Sequence, residues 1–435
     1  MYLVYSLLLG LGFLIMLPKF MLDAWRHGKY ISGLKERLGF LTQESANARL
    51  VIWLHCVSVG EVQAARPLFA ALRRELPEYA IAVSTVTVTG QQLAQEVFKG
   101  EAARVFYFPV DWRWTVKRTL DIINPSLVLL METELWPNFL RECKDRRIAS
   151  AVVNGRLSAK SFSRYKLIRQ FISRVVNCLD LAVMQTDADA ERILRLGLSG
   201  DRVSVCGNMK FDAETTAFIN PSTADFAKHF GISTAPVLLA ASTHEPEEKI
   251  ILEVFRRLRG GKSRDVRLII APRHPERFNS VAALLEASEY SWSRRSNANH
   301  NGNVGADIIL LDSIGELKSL FPVASVVFVG GSLAPIGGHN ILEPAAAGAC
   351  IVTGPHTWNF EAIIKAFNAE NAIVQIETTD DAEARLVEVI GELLAAPQQR
   401  QALVERAQRL IAENRGATSR TMTLLKTLLP MQTNP

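Results

Sequence analysis

The stretch LVIWLHCVSVGEVQAARPL, residues 50–68, reads as one unit: an unbroken apolar strand, a turn at Ser58-Val59-Gly60, and a helix from about Glu61. A strand without polar alternation is expected where helices cover both faces of a parallel sheet. Working outward, the same pattern recurs. AIAVSTVT (80–87), RVFYFPV (104–110), LVLLME (127–132), ASAVVN (149–154), LAVMQT (181–186) and VSVCGN (203–208) are strand candidates, with helical stretches such as 61–74, 90–98 and 187–196 between them. A polar stretch containing Pro221, Gly231 and Pro236 precedes a second series: 237–243, 266–272, 307–312, 325–331, 350–355 and 372–376. The fold class is therefore α/β, with two Rossmann-like doubly wound domains. The expected boundaries are 49–215 for the first domain, 216–235 for a linker and 236–435 for the second. The tail from Asp381 to about Leu429 reads as two long amphipathic helices, and 293–305, without apolar period, as a loop. Two such domains are expected to face each other across a cleft, with ligands at the strand C-termini.

Length and composition narrow the class. The chain has 435 residues, 48% hydrophobic and 21% charged, which excludes disordered and collagen-like chains. Lys+Arg 49 against Asp+Glu 44 leaves a net charge of +5, too mild to imply nucleic acid, and no nucleic-acid partner is expected. Five widely spaced cysteines without a C-x-x-C pair argue against a disulfide framework or structural zinc, and for reduced thiols in a cytoplasmic body. The start, MYLVYSLLLGLGFLIMLPKF, has no charged side chain up to Leu17. It lacks the basic n-region and small-residue cleavage site of a signal peptide, so 1–22 reads as an uncleaved membrane anchor, with a buried core helix as the lesser alternative. Its apolar ~17 residues span about 25 Å, slightly short of a ~30 Å hydrocarbon core, so lying in the interface is an alternative to crossing. The segment 23–48 continues a basic flank. Lys19, Arg26, Lys29, Lys35 and Arg37, with Phe20, Trp25 and Tyr30, place the body on the cytoplasmic face of an inner membrane.

Five motifs carry chemistry. In HCVSVGEV, Glu61 is either a carboxylate that complements the helix dipole or a general base that the helix N-terminus keeps ionised. In LLMETELWPN (129–138), Glu132 and Glu134 follow a strand, as helix caps or as substrate and proton-network groups. In CGNMKFD (206–212), Lys210 either neutralises developing negative charge or pairs with Asp212 at the surface. In IIAPRHPER (269–277), Arg273 and His274 end a strand where a phosphate would sit. In FVGGSLAPIGGHNILEP (328–344), a glycine turn leads into a helix expected near His339–Asn340, whose N–H groups make an anion site, with Glu343 one turn in. Asp187-Ala188-Asp189 spells a D-x-D metal motif. Following the N-cap Thr186, it reads instead as helix-start chemistry.

Taken together, SVGEV, METELWPN, NGRLS (154–158), GNMKFD, APRHPE, GGS…GGHNILEPAAAG and GPHTWNF closely resemble the 3-deoxy-D-manno-octulosonic acid (Kdo) transferases, in order and over nearly the whole chain. The resemblance implies a GT-B fold and an inverting glycosyltransferase moving Kdo from CMP-Kdo to the lipid A precursor, lipid IVA, in lipopolysaccharide biosynthesis. It implies Glu61 as proton acceptor and Glu132 and Lys210 as transition-state support. It also implies that Pro272, Arg273, Ile314, Gly315, Glu316, Asn340, Ile341, Leu342 and Glu343 hold CMP. No metal and no cofactor beyond the donor substrate is expected, because a departing nucleoside monophosphate carries little enough charge for protein dipoles and cations to stabilise. The rival readings are a UDP-sugar-dependent transferase or epimerase, and a membrane-tethered nucleotide-sugar-binding protein.

Overall fold

The computed structural model describes residues 1–27, 33–42, 50–212, 235–261, 263–297 and 305–429, with 16–27 as backbone alone. Lys29, Tyr30 and the linker residues Pro221 and Gly231 lie outside the described residues, as do the side chains of Lys19, Phe20, Trp25 and Arg26. The chain divides into two compact units, 1–213 with 414–435, and 214–413.

The first unit carries a parallel sheet of β1 (Leu50–His55), β2 (Tyr79–Thr85), β3 (Arg104–Tyr107), β4 (Pro125–Met131), β5 (Ala149–Gly155), β6 (Leu181–Met184) and β7 (Val203–Val205). The strand order is β3-β2-β1-β4-β5-β6-β7. The register is set by burial: Ile52 and Leu54 face one apolar cluster and Trp53 the other, so a one-residue slip would exchange the two layers. The second unit repeats the plan with β8 (Val237–Thr243), β9 (Arg267–Pro272), β10 (Trp292–Arg294), β11 (Ile308–Leu310), β12 (Val326–Val329), β13 (Ile351–Thr353) and β14 (Val374–Gln375), in the order β10-β11-β9-β8-β12-β13-β14. The doubly wound α/β class is thus present twice. Each strand forms within a few residues of its expected place, except β10, a three-residue edge strand that overlaps the start of the segment expected to be loop.

The domain boundary at 236–435 needs correction. The chain's last helix, Ala417–Lys426, belongs to the first unit, and the tail forms three helices where two were expected. Met422, Leu425 and Leu429 complete the core around Val62 and Leu68. Asp212 accepts the backbone N–H groups of Gly416 (2.7 Å) and Thr418 (2.6 Å), and Arg420 donates to the Cys206 carbonyl at 2.6 Å. Amphipathic periodicity marks a helix without saying which core its apolar face joins. All five cysteines are free and buried.

The N-terminal helix runs Tyr2–His27, past the expected boundary at 22, and no helix among the described residues is long and apolar enough to cross a membrane. One face packs on the first unit. The Tyr2 and Tyr5 rings lie 5.3 and 5.9 Å from Phe171, Phe13 lies 5.3 Å from Trp112, and Asn138 donates to the Ser6 hydroxyl at 3.0 Å. The other face presents Leu3, Val4, Leu7, Leu8, Leu11, Leu14 and Ile15, each more than half exposed. One residue of the basic flank needs correcting. Arg37, expected at a membrane surface, turns to the body, where it donates to the Val86 carbonyl at 2.5 Å and stacks on Tyr107.

Candidate active site

In both sheets the strand order reverses beside the first strand of the series, between β1 and β4 and between β8 and β12. Connections leave such a point in opposite directions, so a crevice opens at the strand C-termini. In the first unit, β1 passes through Ser58 into the helix Val59–Glu75, which puts Glu61 in its first turn. Glu61 is 6% exposed. Its Oε2 accepts the Val57 N–H at 2.8 Å and its Oε1 the Ser58 hydroxyl at 3.3 Å. Burial, reinforced by the charge of Glu132, pushes this carboxyl up to about 8, against the opposing pull of the Val57 N–H. The expectation that the helix N-terminus keeps Glu61 ionised is corrected. A dipole is worth roughly 0.3–1 kcal/mol, less than the desolvation of a nearly buried carboxylate.

At the end of β4, Glu132 adopts the left-handed backbone conformation with φ 53°. A non-glycine residue there is strained, and such strain clusters at functional sites. Its Oε1 lies 3.6 Å from Lys210 Nζ. Lys210 rides on the short turn Met209–Phe211, anchored where the Met209 N–H donates to Asn154 at 2.9 Å. Asp212 is bound to Gly416 and Thr418, and Lys210 turns to Glu132. The helix Pro137–Asp145 after METELW is capped by neither glutamate, but by Asp111, which accepts the N–H groups of Asn138 (3.0 Å) and Phe139 (2.8 Å). Burial pushes Asp111 up to about 7, and Tyr5 of the N-terminal helix hydrogen-bonds it. Glu134, half-buried, is likewise pushed up to about 7 by burial and by Glu132. Glu61, Glu132, Glu134 and Lys210 thus share one electrostatic site. Asp111 was missed by sequence reasoning, since no local pattern joins residue 111 to residue 138.

In the second unit the expected nucleotide residues fall at the end of β9, in the turn 314–316 and at the start of the short helix Leu342–Ala346. Glu343 pairs with Lys318 at 3.2 Å and accepts from Asn340 at 3.4 Å, which ties 340–343 to the helix Leu317–Leu320 that follows the turn Ile314-Gly315-Glu316. Burial alone would raise the Glu316 carboxyl, but Ser313 and Arg295 together bring it below its ordinary value. Ile314 is 82% exposed. Pro272 ends β9, and the Arg273 N–H donates to the Thr243 carbonyl at 3.0 Å. His339 sits against His244, their Nε2 atoms 2.8 Å apart, and His274 lies edge-on to His244 at 5.1 Å. Burial, with His244 and Arg273 adding to it, pushes His339 down to about 4.

One expectation here is corrected. The helix after the glycine turn is only the five residues Leu342–Ala346, too short for a useful dipole, and Gly348 in the left-handed region ends it. The N–H groups of Gly331, Ser332, Leu333 and Ala334 are already taken, by the buried Glu247. The turn is nonetheless tightly built. A Cβ on Gly337 would lie 2.5 Å from the side chains of Trp358 and Asn359, so this position requires glycine to receive the GPHTWNF motif. The D-x-D residues do helix-start work. Asp189 donates its N–H to Thr186 at 3.1 Å, and its carboxylate accepts the Leu157 N–H at 2.9 Å.

Compared with solved structures, the chain shares the fold of two-domain α/β proteins. These include UDP-GlcNAc 2-epimerase from Neisseria meningitidis bound to UDP-GlcNAc (13% identical, TM-score 0.56, covering 87% of this chain and 100% of that one). They also include the glycotransferase of kitacinnamycin (14%, TM-score 0.53, 88% and 100%). Sequence narrows the class. Residues 32–213 match the family model described as 3-deoxy-D-manno-octulosonic-acid transferase (kdotransferase). The chain is 35% identical over 401 residues to the 3-deoxy-D-manno-octulosonic acid transferase of Haemophilus influenzae, covering 92% of each. It is 32% identical over 425 residues to that of Bordetella pertussis, covering 94% of this chain and 96% of the other. The chain belongs to the 3-deoxy-D-manno-octulosonic acid transferase family and is a glycosyltransferase.

Proposed function

We propose that the chain transfers Kdo from CMP-Kdo to lipid IVA in lipopolysaccharide biosynthesis, with inversion at the anomeric carbon and without a metal. The observation that carries the reading is the grouping of Glu61, Glu132 and Lys210 at the crevice of the first sheet. A carboxyl near 8 is a stronger base than an ordinary one and is better matched to a hydroxyl proton. Once ionised, Glu61 takes the proton as the acceptor oxygen bonds to the anomeric carbon. The bond from that carbon to the CMP phosphate breaks with its electron pair on the phosphate, and one displacement inverts the centre. Lys210 offsets the charge of Glu132 and so keeps the ionised base accessible. Arg273, the 314–316 turn and Asn340 to Glu343 serve the nucleotide.

The membrane reading is the interfacial one. A helix clipped to the body through Tyr2, Tyr5, Ser6 and Phe13 would have to give up those contacts to cross a bilayer. Its apolar stripe suits one leaflet of the inner membrane on the cytoplasmic side. The test is product formation by the full chain. With CMP-Kdo and lipid IVA, the lipid should gain the mass of Kdo while CMP is released, and CMP should protect against melting where UDP does not. Protection by UDP alone, or no lipid product, would sink the reading.

A further inference from the structure

The glycine turn after β12 has the form of an anion site, and it is filled by an anion of the protein's own. Glu247, at the start of the helix Glu247–Gly260, has no exposed surface. Its Oε2 accepts the N–H groups of His244 (2.9 Å) and Gly331 (2.8 Å). Its Oε1 accepts those of Ser332 (2.9 Å), Leu333 (2.9 Å) and Ala334 (3.2 Å). The fit explains a glycine. A Cβ on Gly330 would lie 2.8 Å from Glu247 Oε2 and 2.6 Å from the Ser242 carbonyl. Five converging N–H dipoles can hold a buried carboxylate without a cation, as backbone nests hold bound anions.

What hangs from this turn is the segment read above as nucleotide-binding. Gly331 O accepts the Gly338 N–H at 2.7 Å, and the His339 ring covers Gly331 while bonding His244. Ser332 accepts the His356 N–H through its carbonyl and the Gly354 N–H through its hydroxyl, both at 2.9 Å, so GPHTWNF is tied to the same point. We propose that Glu247 is a positioning residue for donor binding: its carboxylate fixes the 330–334 turn, and through it Gly338, His339 and the 340–343 segment. This rests on the reading of 340–343 as a nucleotide site. The neighbouring Glu248 is as deeply buried but faces elsewhere, toward Arg277 (3.1 Å) and Thr243 (3.1 Å), and so supplies a control.

In Glu247→Gln one carboxylate oxygen becomes an NH2 group, so at least two of the five N–H donors face a donor. The full chain should bind CMP by calorimetry. Should the unaltered chain fail to bind CMP, the nucleotide reading itself falls, whatever Glu247 does. Glu247→Gln should raise the Kd for CMP and the KM for the donor tenfold or more, with the acceptor KM unchanged. Glu247→Asp, charged but one methylene shorter, should fall between. Glu248→Gln should lower the melting temperature while the Kd for CMP stays within twofold. A folded Glu247→Gln with a Kd within twofold of the unaltered chain overturns the proposal. If that variant does not fold, the same result for Glu247→Asp overturns it.

Discussion

Replacing Glu61 with Gln should abolish sugar transfer and at the same time stabilise the fold at neutral pH, by an amount that grows with pH. The unfolded chain releases this proton near the ordinary value of 4.5, whereas the folded chain holds it up to about 8. Between those values the folded state binds more protons than the unfolded one, so the folded chain loses stability as pH rises through the window. At pH 7 the handicap is 2.303RT times the difference between 7 and 4.5, about 3 kcal/mol, whereas at pH 5.5 it is only about 1 kcal/mol. The amide carries no such handicap. Its oxygen can accept the Val57 N–H and its NH2 can donate to the Ser58 hydroxyl, so the local geometry survives. At roughly 2–4 °C per kcal/mol for a unit of this size, the gain in melting temperature near pH 7 has an upper bound of roughly 12 °C. The assay is thermal melting of both chains from pH 5.5 to 8.5, beside transfer activity. A Glu61→Gln variant that melts below the unaltered chain at pH 8, or whose advantage is the same at pH 5.5 and pH 8, refutes the reasoning.

Two further outcomes concern the same site and a third the N-terminal helix. The kcat/KM of the unaltered chain should rise with pH through a limb near 8, because only ionised Glu61 can accept the proton; a flat profile from pH 6 to 9 would remove it as base. Lys210→Met should lower transfer by about two orders of magnitude and move that limb upward, since Glu132 then faces Glu61 uncompensated; an unmoved limb would separate Lys210 from the base. The full chain should float with anionic vesicles, and the Leu7→Glu, Leu11→Glu double variant should not, because both side chains lie on the exposed stripe. Flotation of that variant would place membrane contact elsewhere.

The sequence by itself determined every strand but β10, their parallel pairing into two doubly wound sheets, and the motifs at the strand ends, because an apolar run between turn residues is a local signal. The family was legible for the same reason: METELWPN and GGHNILEP are contiguous in the chain. What only the tertiary structure decided depends on distant partners. Helical periodicity at 417–429 gives no sign that Met422 and Leu425 join the core of the first unit, nor an apolar start that its helix packs on Phe171 and Trp112. The acidic first turn at Glu61 suggests an ionised carboxylate until burial and Glu132 are known. Glu247 in THEPEEK is one acid among three, and only long-range folding brings five N–H groups to it. Charge state and anion binding are set by desolvation and by dipoles that converge from remote segments, and neither quantity exists until the chain has closed around them.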